Sequence, residues 1–201
     1  QGRRVSSAPM LELRIQQHFI ESADLQYQAA EPLSKPITAA VQAILACVTS
    51  GGKVLACGSG DSAADAQHFA SQFVGRFERD RPELAALALT TLASTADSSQ
   101  VFARQVRALG QAGDVLLALC ASGDVPSVLE AVAAAHSRDM TVVALSGRSG
   151  GRFGAALRET DVHICVPHDR IARIQEVHLL VLHCLCDGVD TQLLGEQEIP
   201  I

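Results

Sequence analysis

Two glycine-containing segments of the sequence could bind an anionic ligand. The first, CGSGDS, covers residues 57–62 and lies between an apolar run and a helical pattern. The second, CASGDVPS, covers residues 120–127 and has the same arrangement. Turns of this kind offer free backbone N–H groups and the positive end of a helix dipole to an anion. The hydroxyl groups of Ser59, Ser62 and Ser122 would add neutral hydrogen-bond donors.

The same two turns also have purely structural explanations. Asp61 or Ser62 could cap the following helix, and Ser62 with Asp65 forms a capping-box pattern of the S-x-x-D type. The first turn matches only the looser GxGxxA form of the dinucleotide fingerprint, with Ala63 in third place, which is a weak signal. Asp61 and Asp124 bring two carboxylates to the turns, and like charge disfavours a phosphate. The residues alone leave both explanations open.

A second polar group combines two predicted helices. His68 and Gln72 are spaced i,i+4 on one, and Gln175 and His183 lie on the last helix of the chain. Two histidines from separate helices could hold a metal ion, although two neutral amides are a poor completion of a zinc site. A histidine at such spacing is more often a polar residue at an interface than a metal ligand. The spacing therefore does not establish a metal site.

Composition excludes several classes of protein. The 201 residues are 48% apolar, which is enough for one domain with a buried core. A net charge of −6, with 3% aromatic residues and no Trp, disfavours direct nucleic-acid binding. The six cysteines form no CxxC pair, which is typical of reduced cytoplasmic thiols. Because no apolar run reaches membrane-spanning length and no signal-peptide pattern is present, we expect a soluble cytoplasmic protein without a membrane partner.

The hydrophobic pattern predicts an α/β fold. Residues 1–9 are set aside as a flexible tail or an expression remnant, and 10–201 form a single domain. Pro32 and Pro36 are predicted to separate two N-terminal helices, the first from Met10 to about Ala30 and the second ending at Ser50. Five strands and five helices then alternate. The strands are predicted at 53–57, 84–90, 114–120, 141–146 and 161–166, and the helices at 62–78, 100–109, 126–137, 151–158 and 171–194.

This alternation indicates a doubly wound, five-stranded parallel sheet flanked by helices. Ligands bind such sheets beyond the carboxyl ends of the strands, where both glycine turns are expected. The last predicted helix, 171–194, is apolar nearly all round. We therefore expect it to pack both on its own sheet and on a partner subunit, which favours an oligomer over a monomer.

Three segments resemble the phosphoheptose isomerase group of the SIS (sugar isomerase) domain family. They are GSGDSAADAQHFASQFVGRFERDRP, QVFARQVRALGQAGDVLLALCASGDVPSVLEA and ARIQEVHLLVLHCLCDGVD. The group includes sedoheptulose 7-phosphate isomerase and a non-isomerase relative, the DnaA initiator-associating protein DiaA. The resemblance implies a flavodoxin- or Rossmann-like SIS fold. It also implies a homotetramer with sites at subunit interfaces.

The family's site residues transfer to this chain only in part. The resemblance makes Ser62 a phosphate contact and matches Gln175 and His183 to the family's Gln and His. The family's glutamate base and metal ligand is replaced by Gln72. In the second turn only Ser122 retains its hydroxyl group, because three hydroxyl residues of the family pattern are replaced by Cys120, Ala121 and Val125.

A further departure is the segment from Thr90 to Phe102, which is several residues shorter than its counterpart in the family. Because that loop commonly reaches the substrate, its shortening weakens an enzymatic interpretation. The segment is either a true deletion or lacks residues that belong to the protein.

These departures favour a catalytically degenerate protein over an enzyme. An amide cannot take the proton that an isomerase base removes, and such a base is worth about 10²–10⁴ in rate. The leading hypothesis is a DiaA-like tetrameric regulator of DnaA-dependent replication initiation, with DnaA as its partner. The first alternative is sedoheptulose 7-phosphate isomerase of lipopolysaccharide heptose synthesis, with His183 as acid/base and zinc among His68, Gln72, Gln175 and His183. The second is a sugar-phosphate sensor without turnover that binds through Ser59, Ser62, Ser122 and Gln175.

Overall fold

The computed structural model describes residues 8–90 and 97–196. Most of the predicted tail, 1–9, lies outside these ranges, although the first helix already begins at Ala8. The helices are α1 (Ala8–Thr49), α2 (Ser62–Val74), α3 (Val101–Leu109), α4 (Pro126–Ser137), α5 (Phe153–Ala156) and α6 (Ile171–Leu194). The strands are β1 (Val54–Gly58), β2 (Ala86–Ala88), β3 (Val115–Leu119), β4 (Thr141–Gly147) and β5 (Val162–Val166), and a 3₁₀ turn, Ser98–Gln100, precedes α3.

The five strands form one parallel sheet in the order β2-β1-β3-β4-β5. This confirms the predicted fold class. Every residue of β1 and β3 is buried, as expected for parallel strands that are covered on both faces and therefore read as continuous apolar runs. The register pairs Gly58 with Leu119, so the two glycine turns leave the sheet side by side at its carboxyl edge. Both turns are therefore placed where ligands bind in this class of fold.

Successive residues of a strand contribute to two core layers on opposite faces of the sheet. Leu117 belongs to the layer that contains Phe69 of α2 and residues of α1 and α6. Leu116, its neighbour in β3, belongs to the layer that contains Phe102 of α3 and residues of α4 and α5. The arrangement places α2 and α6 on the same side of the sheet, where they are in direct contact.

The prediction of two N-terminal helices is wrong, because α1 is one helix that contains both Pro32 and Pro36. A proline inside a helix removes one backbone hydrogen bond and costs about 3 kcal/mol. Near the prolines, the Ser34 hydroxyl donates to the Glu31 carbonyl at 2.7 Å and the Thr38 hydroxyl donates to the Ser34 carbonyl at 2.9 Å. The helix also packs along α6 and β5. Tertiary packing therefore overrides the local break signal.

In contrast to the expectation from the apolar runs, α1 and α6 are each long and apolar enough to cross a membrane by length and composition. In α6, the side chains of Ile174, Leu182 and Leu185 are fully buried in the core layer beside the sheet. The same helix buries the charged residues Arg173 and Asp190. Packing inside the domain therefore accounts for the apolar composition of α6.

Candidate active site

A cleft of about 620 Å³ opens at the carboxyl edge of the sheet. It is bounded by the first glycine turn, the end of β2, the start of α3 and the start of α4. Among the residues that the structure describes, its lining has no charged side chain and carries five hydroxyl groups and one amide. The lining residues are Gly58, Ser59, Gly60, Ala63, Gln67, Leu89, Thr90, Ser98, Ser99, Val101, Phe102, Val125, Pro126 and Ser127.

Three helices begin at this cleft. α2 follows the Gly58–Gly60 turn, α3 follows Ser98 and Ser99, and α4 starts at Pro126, as predicted from proline's preference for the first helical position. The first backbone N–H groups of a helix have no partner within the helix, and the helix dipole places partial positive charge there. The cleft therefore favours an anion through oriented amides and hydroxyl groups.

Two glycines of the first turn are required by its geometry. A Cβ at Gly58 would lie 2.3 Å from the carbonyl oxygen of Ser62, so only glycine lets the strand end pass this close to α2. Gly60 has φ +62°, a conformation that side chains disfavour. The turn is thus shaped to bring backbone N–H groups up to the cleft.

The three serines predicted to bind a ligand, Ser59, Ser62 and Ser122, differ in whether they reach the cleft. Ser59 lines the cleft, whereas Ser62 is buried at the first position of α2 and is absent from the lining. The hydroxyl group of Ser122 lies 3.5 Å from the sulfur of Cys120 and accepts a hydrogen bond from the backbone N–H of Asp124. Of the three serines, the structure therefore brings only Ser59 to the cleft surface.

The two carboxylates that argued against a phosphate do not line the cleft. Asp61 accepts a hydrogen bond from the amide of Gln175 at 3.3 Å, and α2 has no side-chain cap from this residue. Asp124 accepts from both the backbone N–H and Nε of Arg152, at 3.0 and 3.2 Å. Both carboxylates are directed to other partners, so neither presents its charge to the cleft surface.

Sequence reasoning missed several hydroxyl residues of the cleft. Thr90 follows β2, Ser98 and Ser99 precede α3, and Ser127 lies in the first turn of α4. Their common signal is a hydroxyl residue at the end of a strand or the start of a helix. Residues 91–96, six of the thirteen residues in the shortened segment from Thr90 to Phe102, lie outside the described residues.

His68 of α2 and His183 of α6 face each other on the other side of α2. Their Nε2 atoms are 3.3 Å apart and their rings are tilted by 59°. His183 also lies against the ring of Phe77, with centroids 5.4 Å apart. Two facing ring nitrogens at this distance share one hydrogen, because one must donate and the other must accept. The hydrogen can therefore be carried by either ring, depending on the tautomer.

The distance between the two Nε2 atoms also tests whether His68 and His183 could bind the zinc ion that the sequence suggested as an alternative. Zn–N bonds of about 2.0–2.1 Å in a tetrahedral site place two nitrogens about 3.3–3.4 Å apart, so the two histidines fit as a pair of ligands. However, no cluster of three His, Cys, Asp or Glu side chains with metal-binding geometry occurs in the described part of the chain. The residues present thus do not complete a zinc site, and no chemical step below uses a metal.

The amides of Gln72 and Gln175 form hydrogen bonds with side chains other than the two histidines. Gln72 accepts a hydrogen bond from the thiol of Cys186 at 3.8 Å, while Gln175 donates to Asp61. Asp65, one turn before His68, has a raised pKa because burial disfavours its charge. The nearby charge of Asp61 adds to this effect, whereas His68 opposes it. The structure therefore joins His68 with His183 but gives both glutamines other partners.

The cleft and the histidine pair share α2. Ala63 and Gln67, spaced i,i+4, line the cleft, whereas His68 reaches α6. Consecutive helical residues point about 100° apart, so Gln67 and His68 belong to neighbouring faces of the helix. The cleft and the histidine pair therefore lie on neighbouring faces of the same helix.

Comparison with known proteins identifies the family. The SIS domain model matches residues 17–147. The phosphoheptose isomerase of Methylibium petroleiphilum is 65% identical over 94% of this chain and 98% of its own length. That of Azoarcus sp. is 57% identical over 92% of this chain and 98% of its own length. The solved phosphoheptose isomerase from Neisseria gonorrhoeae has a TM-score of 0.85 at 48% identity, covering 90% of this chain and 99% of that one.

These relatives overturn the hypothesis of a DiaA-like replication regulator, and with it the expectation that the chain is not an enzyme. Proteins at 65% and 57% identity over nearly their whole length are named phosphoheptose isomerase, and so is the solved structure. The hypothesis gave too much weight to Gln72 and to two aspartates that the structure turns away from the cleft.

The family model and the relatives agree with the geometry. The second glycine turn, nearly all of the first, the central strand β3 and most of α6 fall within the segments that carried the resemblance. The match covers more than half of the chain in the family model and over nine-tenths of it in the relatives. The chain belongs to the SIS domain family.

Proposed function

We propose that this protein is an isomerase of a sugar phosphate, of the kind that converts sedoheptulose 7-phosphate into the corresponding aldose phosphate. The observation that carries the proposal is that α2 presents an anion cleft on one face and the facing His68–His183 pair on the next. Relatives named phosphoheptose isomerase at up to 65% identity support the choice of reaction.

The phosphate group would occupy the uncharged cleft. The backbone N–H groups at the starts of α2, α3 and α4 supply positive potential, and the hydroxyl groups of Ser59, Ser99 and Ser127 supply donors. This anchoring leaves the opposite end of the sugar free to approach α6. With the phosphate anchored, C1 and C2 of the sugar would be held near the histidines. This fixed geometry lowers the entropic cost of bringing the reacting groups together.

The reaction moves two hydrogens within the sugar. A base removes a proton from C1 of the ketose, next to the C2 carbonyl group, and an enediol forms. Returning a proton to C2 while O1 loses and O2 gains a proton yields the aldose. A substrate that displaces the hydrogen bond between His68 and His183 would free one lone pair and one N–H, and the two rings would then serve as base and acid. Gln72, an amide held by Cys186, takes no part in these transfers.

The decisive experiment follows conversion of sedoheptulose 7-phosphate by the purified protein, with and without added zinc. We expect aldose phosphate to form, and Ser127→Ala and Ser99→Ala to raise KM more than they change kcat. Absence of product under both conditions would refute the proposal. A zinc requirement would show that the two histidines recruit a metal after all.

We also propose that the protein works as a homotetramer in the cytoplasm. The first half of α1 exposes many large apolar side chains, and burying them against further copies of the chain would remove this area from water. They are Met10, Leu11, Leu13, Ile15, Phe19, Ile20 and Tyr27. Light scattering coupled to size exclusion tests the assembly, and a mass of one chain, 21.2 kDa, would refute it.

A further inference from the structure

A buried ion pair joins the segment after α2 to α6, outside the cleft and the histidine pair. Nε of Arg81 lies 2.5 Å from Oδ1 of Asp190. The two side chains are only 1% and 2% exposed. Arg81 lies seven residues beyond the end of α2, and its side chain turns back toward that helix.

The same guanidinium closes the end of α2. Its Nη2 donates to the carbonyl of Gln72 at 3.0 Å, and its Nη1 donates to the carbonyl of Phe73 at 2.9 Å. The last carbonyl groups of a helix lack partners within the helix, and the helix dipole favours a cation there. Arg81 is therefore bonded to α2 and α6 at once, and fixes the last turn of one helix against the other.

Stability alone is a weak explanation of this pair. Within residues 8–90 and 97–196, Oδ2 of Asp190 is buried and has no hydrogen-bond partner. A buried ion pair that leaves an oxygen unsatisfied gains little, and apolar replacements of similar volume are often neutral or stabilising. What arginine supplies here is a planar fork of donors with fixed geometry.

The two joined segments are the ones that carry the facing histidines. His68 lies one turn before Gln72 on α2, a rise of about 6 Å, and His183 lies two turns before Asp190 on α6, about 10 Å. The Nε2 atoms are 3.3 Å apart, close to the upper limit of a hydrogen bond. A separation of the helices by a few tenths of an ångström would break this contact.

We propose that Arg81 and Asp190 are positioning residues that hold α2 against α6, so that the His68 and His183 nitrogens stay within proton-transfer distance. The catalytic part of this inference rests on the proposed isomerase function. Arg81 itself does not line the cleft, and its effect passes through the backbone of Gln72 and Phe73. The pair should therefore influence kcat and leave phosphate binding unchanged.

The test replaces the pair by apolar side chains of similar size, Arg81→Met with Asp190→Leu. This change removes both charges together, so the unfolding temperature should stay within a few degrees of that of the unaltered protein. We expect kcat to fall by about 10²-fold, the scale of a misplacement near 1 Å, while KM changes less than twofold. Arg81→Lys, which keeps the charge but loses the fork, should lower kcat in the same direction.

A second readout does not depend on turnover. In ¹⁵N-labelled protein, the ring signals of His68 and His183, assigned with His→Gln variants, should shift in the double variant. Arg138→Met is the matched control, because Arg138 also donates to a helix-end carbonyl, that of Gly110, but in the other layer of the sheet. This control should leave kcat and both histidine signals unchanged.

A folded double variant with unaltered histidine signals and unaltered kcat would overturn the inference. If the double variant does not fold, the same two readouts on Arg81→Lys decide it. If the unaltered protein turns over no sugar phosphate, the proposed function fails. The histidine signals then decide by themselves whether the ion pair positions the two helices.

Discussion

Replacing His183 by glutamine tests the central claim that a pair of facing histidines performs the proton transfer. A glutamine side chain can still place an amide near Nε2 of His68 and keep the hydrogen bond, but it cannot accept and return a proton. A positioned general base contributes about 10²–10⁴ in rate, or about 3–5 kcal/mol. We expect kcat to fall by that factor with KM nearly unchanged, because His183 does not line the cleft.

The expected loss of stability is much smaller. His183 is half-buried, and the contact that it loses is the one with the Phe77 ring at 5.4 Å, worth about 0.5–1.5 kcal/mol. A fall of kcat by two or more orders of magnitude therefore cannot come from unfolding. Initial rates of aldose phosphate formation and urea unfolding curves separate the two effects.

His18→Gln is the matched control, since His18 contacts α6 through its backbone carbonyl, which Arg173 binds. That variant should keep the activity of the unaltered protein. A His183→Gln variant with kcat within threefold of that value would refute the role of the pair.

Three further outcomes follow from the described contacts. Arg152→Ala leaves the carboxylate of Asp124 unpaired beside the start of α4, so KM for the sugar phosphate should rise about 2- to 5-fold, the scale of an exposed charge pair. Adding Asp124→Asn should bring KM back, and a KM that stays high would show that the pair orders the turn instead. Burial lowers the pKa of His178 to about 4 from its ordinary 6.5, so the folded state resists protonation that the unfolded chain accepts. Stability is therefore retained above pH 6.5 and falls by about 3 kcal/mol as the pH drops to about 4. His178→Gln, whose amide can still donate to the Ser146 carbonyl, should lose this slope in urea unfolding at pH 7, 5.5 and 4.5; an unchanged slope would assign it to other groups.

Much of the fold could be predicted because the pattern is local. Short, largely apolar segments of five to seven residues indicated all five strands. The central strands β1 and β3 are buried throughout and show no polar alternation, whereas the edge strands β2 and β5 are only partly buried. The last helix was predicted with the bounds that the structure shows, 171–194. The break in α1 was predicted wrongly because Pro32 and Pro36 are local signals, whereas the packing against α6 that keeps the helix whole comes from residues more than 130 positions away.

The site was less predictable, because which residues line it depends on the directions of individual side chains. The sequence places Asp61 and Asp124 in the glycine turns but does not reveal that Gln175 and Arg152 draw them aside. It also does not reveal that Ser62 turns inward while Ser99 and Ser127 face the cleft. The spacing of His68 and His183 on two helices suggested a common site, and that part of the reasoning is matched by the 3.3 Å contact.

The described lining of the proposed anion cleft contains no lysine or arginine, and this has a consequence for the effect of ionic strength. The chain carries a net charge of −6, so a sugar phosphate is repelled at long range, and the attraction of the helix ends acts only within the first turn. Dissolved salt screens the long-range repulsion more than the close contacts inside the cleft. Capture of the substrate should therefore become faster as salt rises from low to physiological concentration, opposite to the behaviour of a site lined by basic side chains.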